Sequence, residues 1–515
     1  MIYNVTKKHT LVFIGIVIAT SAFFHFSSQN IPDPDAFYHI RHAWLYQTQS
    51  LFNTEFPWTY FSSIRTYGAD LWYGFHLFLI PFSFGDLNTG IKLAGLALTS
   101  LLLLAYARVA VREKFSLKYF WPFLFLLAVP NSLFQLLMVR PHILSLALSL
   151  LLFSAIINGS WRLTALLSAG IIFFHISFFW IIPLIALTIF IAQAIYKQIN
   201  WPGYLGALGG ALLGWILRPN FWEIAQLTYV QVVKLLLEKQ DNLPLLFGQE
   251  LFPLSLGALT QSSALFLIIW LPAIVIFAWT LYRRQFYFSK ITVREQIVLW
   301  SSGALSLGFA LMSLFIARRA YILWVAFGVL FIAAVYTYLI SQKSYFKNAA
   351  SMALLTVFLI IFPYSVYQNG FNLANRAVTP DKFQDAAVWL RDNTNPKDLV
   401  FNTHWDNFSA LFFWNQENYY VGGMDPIFQY DYDAGLYWKF HHISKDDFWG
   451  LTCAEPICTT QNQENVDDVL IKDFGAQYIF VEKQRNPLLY QYLDLNPKFE
   501  KRFDNSREFI FQIKN

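Results

Sequence analysis

Six stretches of this 515-residue chain, near 10–28, 119–138, 263–281, 297–316, 320–340 and 349–367, contain no Asp, Glu, Lys or Arg. Each is about as long as the roughly 20 residues of helix that cross the hydrocarbon core of a bilayer. Backbone polar groups find no partner in lipid, so such stretches must satisfy themselves as helices. Shorter or interrupted apolar runs at 88–107, 141–158, 161–176, 178–196 and 203–217 bring the expected number of crossings to eleven. Residues 71–84 are apolar but short, and read as a re-entrant or interfacial segment. With 56% hydrophobic and 13% charged residues and a mean hydropathy of +0.41, the chain is too apolar for a soluble protein of this length.

The first run, Thr10 to Phe26, follows Lys7 and Lys8 but precedes no small-residue cleavage site, so an uncleaved first helix is expected. Lys7/Lys8, Arg108-Arg112-Lys114-Lys118, Arg162, Lys197, Arg283-Arg284-Lys290-Arg294 and Lys343-Lys347 fall at alternate ends of the spans, as cytoplasmic loops require. A cytoplasmic start and eleven crossings put the tail on the outer face of a cell membrane. Residues 1–369 carry 23 Lys and Arg against 11 Asp and Glu, and residues 370–515 carry 14 against 21. The fold class expected is therefore a polytopic helical membrane domain over 1–369, with a long first outer loop at 29–87, followed by an acidic α/β domain over 370–515. Topology alone accounts for the basic loops, so no nucleic-acid partner is implied.

From Thr379 the pattern is that of a soluble domain. Asp381–Asn393 has helical spacing behind Thr379-Pro380, Leu399–Asn402, Tyr419–Val421 and Gln477–Val481 read as strands, and Val466–Phe474 reads as a helix stopped by Gly475. The two cysteines, Cys453 and Cys458, flank Pro456. They can close a small disulfide if the domain lies in an oxidising compartment, and two cysteines alone make a poor metal site.

With this topology the remaining polar groups fall on one face. Asp33, Asp35, His39, Arg41 and His42 lie in the first outer loop, Arg140 and His142 at the next outer turn, His175 between two spans, Arg218 before a long outer segment, and Arg318 and Arg319 between two later spans. Ionisable groups near the membrane are costly and mark sites. Carboxylates with arginines suit a divalent metal, Mg²⁺ or Mn²⁺, beside a phosphate. The competing reading for each arginine is that it snorkels to lipid headgroups. For His175 it is a hydrogen-bonded turn residue.

Asp33-Pro34-Asp35-Ala36-Phe37-Tyr38-His39-Ile40-Arg41-His42-Ala43 resembles the first outer loop of the oligosaccharyltransferase catalytic subunit and its relatives among the GT-C glycosyltransferases, where an acidic motif follows the first span. Gln384–Thr394 with Leu399–Phe408 is similar to the start of that subunit's soluble domain, where a helix and strand precede the acceptor-reading Trp-Trp-Asp-Tyr-Gly motif. The resemblance implies a metal on Asp35 with Asp33, and acceptor binding by His404, Trp405 and Asp406. Arg140, His142, Arg218, Arg318 and Arg319 are the expected ligands of the donor phosphate. His39, Arg41, His175, Asp425 and Tyr430 are further candidates, while Asp431 and Asp433 read as solvated helix-start residues. His404 and Asn407-Phe408 depart from the family's residues, and Arg140-Pro141-His142 stands where its second acidic loop motif would be. These departures point from asparagine glycosylation toward a broader GT-C role.

The function expected is transfer of a sugar or oligosaccharide from a polyprenyl-phosphate-linked donor to a protein or glycan acceptor at the outer face. The alternative is a non-catalytic component that binds, docks or transports lipid-linked glycan during cell-envelope assembly. In that case Asp-Pro-Asp is only the start signal of a helix over 36–46.

Overall fold

The computed structural model describes residues 2–240, 245, 248–282, 291–340, 344–446 and 449–514. Arg283, Arg284, Lys290 and Lys343, expected on cytoplasmic loops, lie outside the described residues. The chain forms two compact units, each assembled from three separated segments. The helical unit comprises Met1–Asp33, Asn88–Leu217 and Gln249–Val378, and the sheet unit comprises Pro34–Leu87, Arg218–Gly248 and Thr379–Asn515. The division is thus not a single cut near residue 370. Two segments expected as loops of the membrane domain belong with the tail.

In the helical unit, seven helices among the described residues are long and apolar enough to cross a membrane: Lys8–Phe26, Leu87–Arg112, Ile176–Ile195, Leu256–Tyr282, Val293–Phe315, Arg318–Ile340 and Lys347–Asn375. Pro130–Leu136 and Pro141–Ile157, bent by 105° at their junction, make an eighth if they count as one broken span. Eleven crossings are not formed, for local reasons. Residues 119–138 split into Trp121–Leu127 and Pro130–Leu136. Pro130 offers no N–H to a continuing helix and disfavours helical backbone before it, and Val129 is extended. Arg140 before Pro141 is extended in the same way. The runs at 161–176 and 203–217 yield helices of only 14 and 16 residues, Trp161–Phe174 and Trp201–Ile216.

Those two short helices are held by a glycine stripe. A Cβ at Gly206, Gly210 or Gly214 would collide with the backbone of Trp161, Ala165 or Ala169 respectively. Partners advance by four on both helices, so the helices run parallel with their backbones in close approach, the usual role of small residues between apolar helices. The helix Tyr321–Val335 is buried along its whole length, with the Trp324 ring meeting Phe266 and Trp270 edge-on at 5.2 Å each. Following the helix Leu87–Arg112, the buried Glu113 accepts hydrogen bonds from Arg294 and Asn158 at 2.8 Å each, and from Ser154.

The sheet unit is built on strands β1 (Leu399–Asn402), β2 (Tyr419–Tyr420), β3 (Leu451–Thr452), β4 (Glu464–Asn465), β5 (Tyr478–Glu482), β6 (Phe499–Asp504) and β7 (Glu508–Ile513). The main sheet has the order β2-β1-β5-β7-β6, parallel across β2, β1 and β5 and antiparallel from β5 to β6. The three strands read from sequence form within a residue of their expected limits. The β6–β7 hairpin was not among them. The expected helix at 381–393 begins at Gln384, because Phe383 has left-handed backbone (φ 59°). Phe401, Ile479, Val481, Leu470, Phe509 and Phe511 share one hydrophobic core.

The segment 34–87 is fastened to this sheet. Tyr60 N donates to Tyr420 O and Tyr420 N to Trp58 O, each at 2.8 Å, extending the sheet beyond β2. Residues 71–84, expected as re-entrant or interfacial, form the helix Tyr73–Leu79 and a short turn, with Tyr73, Phe75, His76 and Leu79 buried in the unit. Cys453 and Cys458 are joined as a disulfide.

Candidate functional site

In the helical unit the charged candidates sit at helix ends. Arg140 precedes the helix Pro141–Ile157 and His142 lies in its first turn. His175 closes Trp161–Phe174, and Arg318 and Arg319 lie in the turn before the helix Tyr321–Val335. The fold draws four of these together: His142 is within electrostatic reach of Arg140, His175 and Arg319, and of Glu250. Arg140 grips the buried Asp33 with its fork, Nε to Oδ2 and Nη2 to Oδ1, the latter at 2.7 Å. Arg319 Nη2 donates to Glu250 Oε1 at 2.8 Å. Burial favours the neutral acid, yet Arg319 and Arg140 hold the Glu250 carboxyl down to about 2. The Ser145 hydroxyl lies 3.2 Å from His175 Nδ1. Arg318 has a buried Nε without a hydrogen-bond acceptor among the described residues.

In the sheet unit the helix Asp35–Thr48 places Tyr38, His42 and Tyr46 on one stripe, four residues apart, with Asp35 and His39 on the adjoining one. The stripe meets Asp70 and, from the helix Tyr73–Leu79, His76. Asp70 Oδ2 accepts from Tyr46 at 3.0 Å and lies 2.6 Å from His76 Nδ1. Its Oδ1 accepts from Trp72 N at 2.8 Å. His76 Nε2 lies 2.9 Å from His39 Nδ1, and His42 Nδ1 lies 2.9 Å from the Tyr38 hydroxyl. Burial would raise Asp70, but His76, His42 and the hydrogen bonds hold its carboxyl well below the usual carboxylate range. Burial, with His76 beside it, pushes His42 down to about 3. Arg218, expected to hold donor phosphate, is instead 2% exposed, with Nη2 donating to the Asp70 backbone carbonyl at 2.5 Å. Arg41 stacks over Trp44 and Phe413, 4.9 and 5.2 Å from their ring centres.

The two segments that carry the family resemblance meet within this unit. The helix Asp35–Thr48 lies against the helix Phe408–Trp414, with the Phe37 and Phe413 rings 4.9 Å apart. The Ser409 hydroxyl is 3.5 Å from Asp35 Oδ1, at the edge of hydrogen-bonding distance. The acceptor candidates just before that helix have partners inside the domain. His404 Nε2 lies 2.8 Å from Asn486 Oδ1, Arg485 donates to Asp406 at 2.8 Å, and Trp405 packs half-buried on the core of the sheet. Burial and the nearby Arg485 push His404 down to about 4. Asp425 caps the helix Pro426–Tyr432 by accepting from Ile427 N, and the Tyr430 ring meets those of Tyr437 and Trp438. Asp433 is an N-cap, as expected, for the helix Ala434–Lys445. Asp431 is not a solvated helix-start residue: it ends the preceding helix and pairs with Lys234 at 2.6 Å.

The divalent ion implied on Asp35 and Asp33 is not supported by the donor set. Both oxygens of Asp33 face the Arg140 fork, and neither aspartate belongs to a converging group of three or more His, Cys, Asp or Glu side chains among the described residues. Such groups do form at His42, Asp70 and His76, and at His442 with the disulfide-bonded Cys453 and Cys458. Asp70, His76 and Glu250 were missed from sequence. Asp70 borders and His76 lies within the apolar run 71–84, which reads as re-entrant or interfacial, and nothing in the spacing links Glu250 to residue 140 or 319. The repeat Tyr38, His42, Tyr46 was the available signal for the buried stripe. No protein-family model matches the chain, and no curated protein matches it.

Proposed function

We propose that the chain is a membrane glycosyltransferase, moving a sugar or oligosaccharide from a polyprenyl-phosphate-linked donor to a protein or glycan acceptor at the outer face. The observation that carries this reading is the gathering of Arg140, His142, His175 and Arg319 from distant helix ends of the helical unit. Asp33 and Glu250 each hold one arginine by part of its guanidinium, which fixes the planar group. The guanidinium N–H groups that those carboxylates do not take can meet phosphate oxygens, and charge that develops on a leaving phosphate is what fixed cations stabilise best.

In the reaction, an acceptor oxygen bonds to the anomeric carbon as the carbon–oxygen bond to the lipid phosphate breaks. The electron pair of that bond leaves on the phosphate. The acceptor's proton passes to a base, for which Asp33 and Asp35 are the candidates by residue type. The Cys453–Cys458 disulfide and the basic loops support an outer location for the tail, since disulfides persist in oxidising compartments.

Binding of polyprenyl phosphate by the purified chain, followed by native mass spectrometry, tests the reading. A fall of about tenfold or more is expected in Arg140→Ala and Arg319→Ala, the loss of one charge-assisted contact each. Transfer of label from a polyprenyl-phosphate sugar should stop in Asp35→Asn. The engagement of His404 and Asp406 by Asn486 and Arg485 favours the docking alternative instead. No transfer by the purified wild-type chain, with glycan assembly in cells that tolerates Asp35→Asn but is lost on deletion of 379–515, would establish that alternative.

A further inference from the structure

We propose that His42, Asp70 and His76 bind one transition-metal ion of the zinc class, which ties the helix Asp35–Thr48 to the stretch 70–79 within the segment 34–87. One donor atom from each lies within 4.8 Å of the others, and all three residues are buried. His42 Nε2 is 3.9 Å and His76 Nδ1 2.6 Å from the same oxygen, Asp70 Oδ2. Two imidazoles and one carboxylate suit Zn²⁺, Fe²⁺ or Co²⁺, whereas Mg²⁺ and Ca²⁺ call for oxygen donors.

The surroundings of the three donors point the same way. Metal-bound histidines hydrogen-bond through their other ring nitrogen, which fixes the ring and the tautomer. His42 does so with Tyr38 and His76 with His39, each at 2.9 Å, while Asp70 is oriented by Tyr46 and Trp72 N. A cavity bounded by His42, Asp70, Tyr38 and Trp72 adjoins the group. It has room for about one water, the fourth ligand of a tetrahedral site with three protein donors. Without an ion, a proton on His76 Nδ1 joins the ring to Asp70. With an ion, that proton is released to solvent and the nitrogen lone pair coordinates. The deep burial makes the ion structural, and the site is independent of the transferase reading.

The experiment measures zinc, iron, manganese and cobalt per chain in the full-length protein, with any affinity tag removed and the cells grown in metal-supplemented medium. It adds the visible spectrum after Co²⁺ exchange and Tm with and without a chelator. Expected are a stoichiometric ion, the intense d–d bands of four-coordinate Co²⁺, and a Tm lowered by several degrees on chelation. The bands should be lost in His76→Asn and in His42→Asn. Because those variants can misfold, the wild-type measurements decide alone. Substoichiometric metal, no d–d bands and a Tm unmoved by chelator would overturn the site and leave Asp70, His76 and His39 as a hydrogen-bonded chain.

Discussion

Arg294 counts in the sequence as one of several basic residues that keep a loop cytoplasmic, and in the fold it also neutralises Glu113, whose side chain is fully buried. Removing one partner of a buried pair strands the other charge. Arg294 is itself 41% exposed, and Ser154 and Asn158 still serve Glu113, so the loss is smaller than for a dry pair. Arg294→Ala should cost about 1–2 kcal/mol, read as a lower Tm in detergent, with Arg294→Lys recovering part of it. The aspartates 33 and 35 show where reading by residue type stops. Two positions apart, they look like one acidic motif, yet Asp33 is committed to Arg140 while Asp35 lies against Ser409. Their partners are over 100 and over 370 residues away, and no local pattern encodes them.

Proline and glycine decide the elements that apolar runs leave ambiguous. The runs at 119–138 and 203–217 are uncharged, and hydropathy alone reads both as spans, but Pro130 divides the first and the second makes only a 16-residue helix. Those prolines were legible, whereas the glycine stripe acquires meaning only once Trp161–Phe174 lies against it. Gly210→Val should therefore force Trp161–Phe174 away and lower both yield and Tm, because the contact is backbone against backbone. Gly209, one residue away, faces open space, with nothing within 4 Å of where a Cβ would stand. Gly209→Ala should be neutral or stabilise by up to about 1 kcal/mol through helix propensity. Equal damage from both would mean that the stripe does not hold the helices together. The strands β1, β2 and β5 were legible because they are apolar and bounded by turn residues. The run of charges in β6, Glu500-Lys501-Arg502, hid the hairpin.

At the scale of the molecule, the sheet unit carries a stability that depends on pH. His404 is pushed down to about 4, by burial and then Arg485, and His441 to about 3, by burial and then Lys445 and His442. The unfolded chain protonates such groups first, near 6.5, so their folded environment is tolerated in full above that pH. Stability falls as the pH drops toward 4. His404 alone can withdraw about 3 kcal/mol over that window. Melting followed by tryptophan fluorescence should show Tm falling from pH 7 to pH 4.5, with a smaller drop in His404→Gln, and an unchanged slope in that variant would assign the effect to other groups. The fold class was legible from apolar runs and the charge split. The discontinuous make-up of the units was not, since composition does not say which loops return to the tail. That make-up sets an order of events during synthesis. The hydrogen bond from Trp58 Nε1 to Gln416 O spans 358 residues of chain, and the β5–β7 pairing needs the last residues to be made. The segment 34–87 thus leaves the ribosome early and waits, Phe37, Phe56 and Trp58 without the contacts that Phe412, Phe413 and Gln416 supply, until the sheet has been translated. The nascent protein accordingly depends, for most of its time on the ribosome, on whatever shelters that segment from the wrong neighbours.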